Sequence, residues 1–158
     1  SLSKIKMLRK ILFTISTFIL LSSCEYKPIY SNLDNLNYEI IINETTGDKD
    51  LNKFIINNLK RNNKDNSNQI INIKLNTKYT KTITAKDAAG SITNYQSIVI
   101  ANFEITKEQQ SETFSISEKF NYQKISDSYE EKNYEDNIKR NLAKSISQKL
   151  MLRLAIAQ

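Results

Sequence analysis

Between Ile71 and Tyr79 the chain alternates without a break. Ile71, Ile73, Leu75, Thr77 and Tyr79 fall on one parity, and Asn72, Lys74, Asn76 and Lys78 on the other. A repeat of two is that of β-strand side chains, so this strand is apolar on one face and wet on the other. A sheet of such strands must bury its apolar face, and the rest of the chain has to supply the cover.

The flanking segments supply both more sheet and a cover. Upstream, "NYEIIINE" (Asn37 to Glu44) is rich in β-branched residues and reads as a strand buried on one or both faces. Gly47 turns the chain, Asp48 or Asp50 caps a helix, and Leu51, Phe54, Ile55 and Leu59 share its apolar face, broadened by Ile56. The asparagine-rich run from Asn62 to Asn68 ends it. Downstream of the alternating strand, residues 85–91 ("AKDAAGS") read as a hairpin turn. The returning strand carries Tyr95, Val99, Ala101, Phe103 and Ile105 on one face, with Ile98 and Ile100 among polar residues on the other, as a central strand would. Residues 107–112 ("KEQQSE") turn the chain again, and Phe114, Ile116, Phe120 and Tyr122 mark a further strand. From about Asp127 to Ala157 a helical stripe recurs at Tyr134, Ile138, Leu142, Ile146, Leu150 and Leu154, widened by Ala143 and Met151.

Strand, helix, three strands, helix is the resulting order. It predicts an α+β two-layer sandwich, with two helices packed on one face of a four-stranded mixed sheet. The first helix is expected to join two parallel neighbours by a right-handed crossover.

The N-terminal segment has a different character. Lys4, Lys6, Arg9 and Lys10 precede an apolar run from Ile11 to Leu21, which ends in "LSSC" at Cys24. A charged stretch and a short apolar stretch form a secretory signal. Small residues let the backbone enter a peptidase cleft, and the cysteine after the cut offers a thiol for a thioether-linked diacylglycerol. The pattern resembles the bacterial lipoprotein signal, with cleavage between Ser23 and Cys24. The competing reading, a transmembrane anchor with an incidental cysteine, needs neither the small residues nor the thiol and fits a run this short less well. Met7 is a candidate initiator. The expected organisation is a removed signal peptide at 1–23, a lipidated tether at 24–36 and one periplasmic domain at 37–158.

This reading accounts for the charge and for the cysteine count. The chain carries +6 overall; without the signal's four cations, 19 basic residues face 17 acidic ones, a net +2. The basic balance therefore belongs largely to the signal, and no nucleic-acid-binding pattern accompanies it. Acylation would consume the only thiol, and the chain contains no histidine. His/Cys metal sites, Ser-His-Asp triads and Cys-His nucleophile pairs are excluded together. No pair of carboxylates stands out either, so a non-enzymatic protein is expected, with no cofactor or metal beyond the covalent lipid on Cys24. An envelope hydrolase would need two carboxylates converging in a cleft.

The opening of the mature chain, "CEYKPIY", resembles the LPS-assembly lipoprotein family (LptE), which typically begins Cys-Gly-Phe-x-Pro-Leu-Tyr. Tyr26, Pro28, Ile29 and Tyr30 stand at the aromatic, proline, aliphatic and tyrosine positions, while Glu25 replaces the glycine. The order of later segments is similar, through "DLNKFIINNL", "FNYQKISDSYEEKNYEDN" and "IKRNLAKSISQKLMLRL". The resemblance implies an outer-membrane lipoprotein that plugs and helps assemble the LPS-export β-barrel and aids lipopolysaccharide delivery to the outer leaflet. Its partners would be that barrel, the membrane through the anchor, and lipopolysaccharide itself. Each buried acyl CH₂ contributes about 0.8 kcal/mol to anchoring. Glu25 is not the Asp that signals inner-membrane retention in many bacteria, which favours the outer membrane. The alternative is an accessory lipoprotein of another envelope assembly or lipid-transport complex.

A phosphorylated glycolipid calls for cations beside apolar surface. Lys74, Lys78, Lys81 and Lys86 lie along one strand toward its hairpin tip and are the candidate LPS-binding residues on that chemistry; Lys81 has opposite parity to Lys74 and Lys78. The simpler reading is a solvated strand face bearing gatekeeper lysines. Lys139, Arg140, Lys144, Lys149 and Arg153 read as a solvated helix face balanced by nearby Glu residues, and Tyr122, Tyr129 and Tyr134 as core or interface.

Overall fold

A computed structural model of the protein describes residues 38–61, 67 and 69–156. The expected signal peptide, Cys24 and the tether lie outside these residues, as does most of the asparagine-rich run. The elements are β1 (Tyr38–Gly47), α1 (Lys49–Lys60), β2 (Gln69–Lys86), β3 (Ile92–Lys107), β4 (Gln110–Gln123) and α2 (Ser128–Ile156). The sheet order is β1-β2-β3-β4. β1 runs parallel to β2, with α1 as the crossover, and the other pairs are antiparallel. This is the expected α+β sandwich.

Both helices cover the same face. The buried positions of β2 are Ile71, Ile73, Leu75 and Thr77, those of β3 run from Ser97 to Ile105 at every second residue, and Tyr122 is the buried residue of β4. Leu51, Ile55 and Leu59 of α1 complete the core with Ile138, Leu142, Ala143, Ile146, Leu150, Met151 and Leu154 of α2. Phe54 lies at the margin, half-buried against that core. Ser147, buried within α2, donates its hydroxyl to the Ala143 carbonyl 2.8 Å away, so it burdens the core with no unpaired group.

The join between β1 and α1 is closely specified. Asp48, rather than Asp50, is the cap: its Oδ1 accepts from the Asp50 and Leu51 amides, both at 3.0 Å. Gly47 before it has φ +88°. The Asp48 amide donates to the Thr77 carbonyl at 3.1 Å, tying the helix start to the middle of β2. Buried Asn52 donates to the Thr46 carbonyl at 2.9 Å and receives the Thr77 hydroxyl at 2.8 Å. The N-terminus of α2 is capped alike, by Asp127 Oδ1 accepting from the Tyr129 and Glu130 amides at 2.9 and 2.8 Å.

Two boundaries need correction. β1 continues past Glu44 to Gly47; of the two readings given for it, cover on one face is the one that holds, since it is an edge strand with Ile41 exposed. A bulge between Ile42 and Glu44 shifts its register. The turn expected over 107–112 contracts to Glu108 and Gln109, because Lys107 already pairs with Gln110. So tight a connection needs a left-handed residue, and Glu108 takes that place at φ +55° without a glycine to announce it.

Candidate interaction site

β2 and β3 pair along almost their whole length, from Ile71–Lys107 to Lys86–Ile92. The turn between them is built by Asp87, whose Oδ1 accepts from the Ala89 and Ser91 amides at 2.9 Å each, with Gly90 at φ +85°.

Near this end the inner face changes from aliphatic to aromatic and charged. Lys81 points toward the helices, not outward. Its Nζ lies 2.7 Å from Glu131 Oε1 and 3.0 Å from Glu135 Oε2, both on the first turns of α2. The same ammonium sits 4.2 Å from the centre of the Tyr95 ring. Tyr95 packs on Tyr122 at 5.6 Å between centroids, and Tyr122 meets Tyr134 edge-on at 5.7 Å. Tyr79 and Ser97 share a hydrogen bond of 2.8 Å across β2 and β3. Lys139 of α2 covers the Tyr79 ring at 4.4 Å and reaches to 3.9 Å from Asp48.

The electrostatics lock this cluster in one charge state. Desolvation pulls the Lys81 ammonium down, but Glu131, Tyr122 and Glu135 more than offset it and hold its pKa well above the usual lysine value. Desolvation raises Glu135, yet hydrogen bonds from Tyr79 and Lys81 bring its pKa below the ordinary glutamate value. Burial pushes the Tyr79 and Tyr122 phenols up, so both keep their protons. Charges that persist across the neutral range suit a clamp between hairpin and helix. Proton transfer calls for groups that titrate near the working pH.

The four lysines singled out in the sequence therefore do not form one patch. Lys74 lies on the outer face and pairs with Glu104 at 3.1 Å. Lys78 is exposed on that same face, opposite Ile100. Lys86 is exposed beside the turn, and Lys81 is in the clamp. Its inward parity was the signal in the sequence; the partner carboxylates, about fifty residues away, were not legible there. Of the three tyrosines, Tyr122 is core, Tyr134 is 40% exposed and Tyr129 73% exposed.

The outer face of the sheet is continuous and polar. Thr80, Ile98 and Lys119 form one row across it; Lys78, Ile100 and Ser117 form the next; Asn76, Asn102 and Ser115 a third. Gln96 donates to Asn121 Oδ1 at 2.7 Å, and Asn76 to Thr46 Oγ1 at 2.6 Å, which orders the amides into a fixed carpet. Ile98 and Ile100 are half-buried at its centre. No helix among the described residues covers this face.

No protein-family model and no curated protein matches the chain. Solved structures do. The crystal structure of rare lipoprotein B from Shewanella oneidensis superposes with a TM-score of 0.57 at 13% identity, covering 73% of this chain and 96% of that one. A lipoprotein from Caulobacter crescentus matches at 0.52 and 9% identity, over 82% of this chain and 94% of the other. The solution structure of lipoprotein B from Nitrosomonas europaea matches at 0.52 and 10% identity, over 76% and 86%. At such identities the likeness is one of fold.

Proposed function

We propose that this chain is an outer-membrane lipoprotein that plugs the LPS-export β-barrel, helps that barrel assemble and aids delivery of lipopolysaccharide to the outer leaflet, without catalysing a reaction. One observation carries the reading. Two helices close one face of the sheet, while the other presents an ordered carpet of Asn, Ser, Thr and Lys around Ile98 and Ile100. The lumen of a membrane barrel is lined by polar side chains, and a carpet of amides and hydroxyls can hydrogen-bond such a wall while the two isoleucines lose water. The acyl anchor expected at Cys24 and a fold shared with bacterial lipoproteins support the same reading. In it, Lys74 and Lys78 face the wall with the rest of the carpet, Lys86 beside the turn is the cation placed to meet the phosphates of the glycolipid, and Lys81 holds the hairpin that carries it.

The test is affinity purification of the native lipidated protein in mild detergent. A stoichiometric partner whose gel mobility changes on heating, the mark of a closed barrel, is the expected result. Recovery with periplasmic or inner-membrane partners instead would replace the plug with an accessory lipoprotein of another envelope complex. Acyl labelling should be present in the same preparation and absent from a Cys24→Ala chain.

A further inference from the structure

Charge is segregated along α2. Its four carboxylates, Glu130, Glu131, Glu135 and Asp136, lie in the first turns, whereas residues 137–156 carry Lys139, Arg140, Lys144, Lys149 and Arg153 and no acid. Three of these five cations are balanced from other elements: Lys139 by Asp48, Lys149 by Glu118 and Arg153 by Glu112. Arg140 and Lys144 have no carboxylate partner among the described residues. They face the C-terminal end of α1, where Lys60 and Arg61 are likewise without one. All four line a single open groove of about 570 Å³, together with Phe54 and Asn141.

The carbonyl end of α1 accounts for part of this charge. A helix C-terminus carries the equivalent of about half a negative charge, and cations in the last turn suit it. Lys60 and Arg61 meet that need from α1 itself. Arg140 and Lys144, brought in from the other helix, are a surplus. Arg140 is also held in place: its guanidinium carbon lies over the Phe54 ring, 4.5 Å from the centroid, and both residues line the groove. Arg61 donates to Asn58 on the groove wall. Fixed guanidinium forks, two ammonium groups and amide donors on an aromatic floor are the chemistry that takes a doubly charged oxyanion.

We infer that the α1–α2 groove is a binding site for a phosphate-bearing group. It is on the helix layer and shares no residue with the outer sheet face, so it stands independently of the barrel reading. The phosphate can belong to a free phosphate ester or to a lipid headgroup.

The experiment uses the full lipidated chain in neutral detergent micelles and follows the side-chain amide resonances of Asn57, Asn58 and Asn141. Titration with inorganic pyrophosphate should shift these signals saturably, and Arg140→Gln with Lys144→Gln should weaken that binding about tenfold or more. A control pair, Lys119→Gln with Lys124→Gln, removes the same charge elsewhere and should leave the affinity unchanged. If doping the micelles with short-chain phosphatidic acid, whose headgroup is a phosphate monoester, produces the same shifts, and phosphatidylcholine does not, the source is a lipid headgroup. Shifts with pyrophosphate alone identify a free phosphate ester. Absence of shifts from both probes, or equal weakening by the control pair, overturns the site.

Discussion

The carbonyl oxygen of Thr77 occupies the place where a side chain on Gly47 would begin. A Cβ built there would stand 1.8 Å from that oxygen, and the backbone at Gly47 is left-handed, at φ +88°. β1 can enter α1 beside the middle of β2 only because this residue has no side chain.

Gly47→Ala should therefore destabilise the protein by about 3 kcal/mol or more, since a backbone atom cannot move aside as a side-chain end would. Gly90 has nearly the same φ, +85°, but open space around it. Gly90→Ala should cost only about 1 kcal/mol, from backbone strain alone. Urea unfolding of the two variants separates the clash from the strain; equal losses would refute the steric account.

Thr77→Val keeps the shape of the side chain and removes its hydroxyl. That hydroxyl lies 2.8 Å from Asn52 Oδ1 and 3.1 Å from the Asp48 carbonyl. The variant strands the buried Asn52 acceptor and should lose about 1–2 kcal/mol in the same assay. No change on substitution would mean that water satisfies Asn52 equally well.

Lys81→Met should cost about 1–2 kcal/mol at neutral pH, between the values typical of exposed and of buried ion pairs. Glu135 has a folded pKa below its unfolded value of about 4.3, so its share of stability is present above that pH and lost as pH falls through the folded value. Lys81 is raised above about 10.4, so its share is present below that pH and lost on further alkalinisation. The stability difference between wild type and variant should be flat from about pH 5 to pH 10 and shrink toward pH 3. Denaturation across that range checks it, and a difference as large at pH 3 as at pH 7 would be evidence against the clamp.

Ile100→Lys places a charge in the centre of the outer carpet. Ile100 is half-buried there and packs under no helix among the described residues, so folding stability should change by about 1 kcal/mol or less. Recovery of the barrel partner should nevertheless fall about tenfold, because a charge at the centre of an interface must be desolvated. Undiminished recovery would remove this face from the interface.

The layers were legible in the sequence because their signals are local. The alternation from Ile71 to Thr77 and the stripe from Ile138 to Leu154 reappear as buried faces, while Tyr79 is half-buried and Tyr134, where the stripe was expected to begin, is exposed. The two-residue turn at Glu108 was not legible, since a glutamate in the left-handed region has no compositional mark. The cations of α2 were read as balanced by nearby Glu residues. Lys149 and Arg153 instead pair with Glu118 and Glu112 on β4, and Arg140 and Lys144 with neither.

Which residues face inward was legible along the chain, because parity and helical period depend only on neighbours two to four positions apart. The sequence by itself also carries the lipoprotein-like signal pattern and excludes histidine chemistry, since those rest on residue identity alone. What the charges meet depends instead on how distant elements pack. Lys81 finds Glu131 and Glu135, and Arg140 reaches Phe54, across separations set by how α2 lies on the sheet and on α1. Coulomb interactions act through space and fall with distance, so chains alike in periodicity can differ in every ion pair.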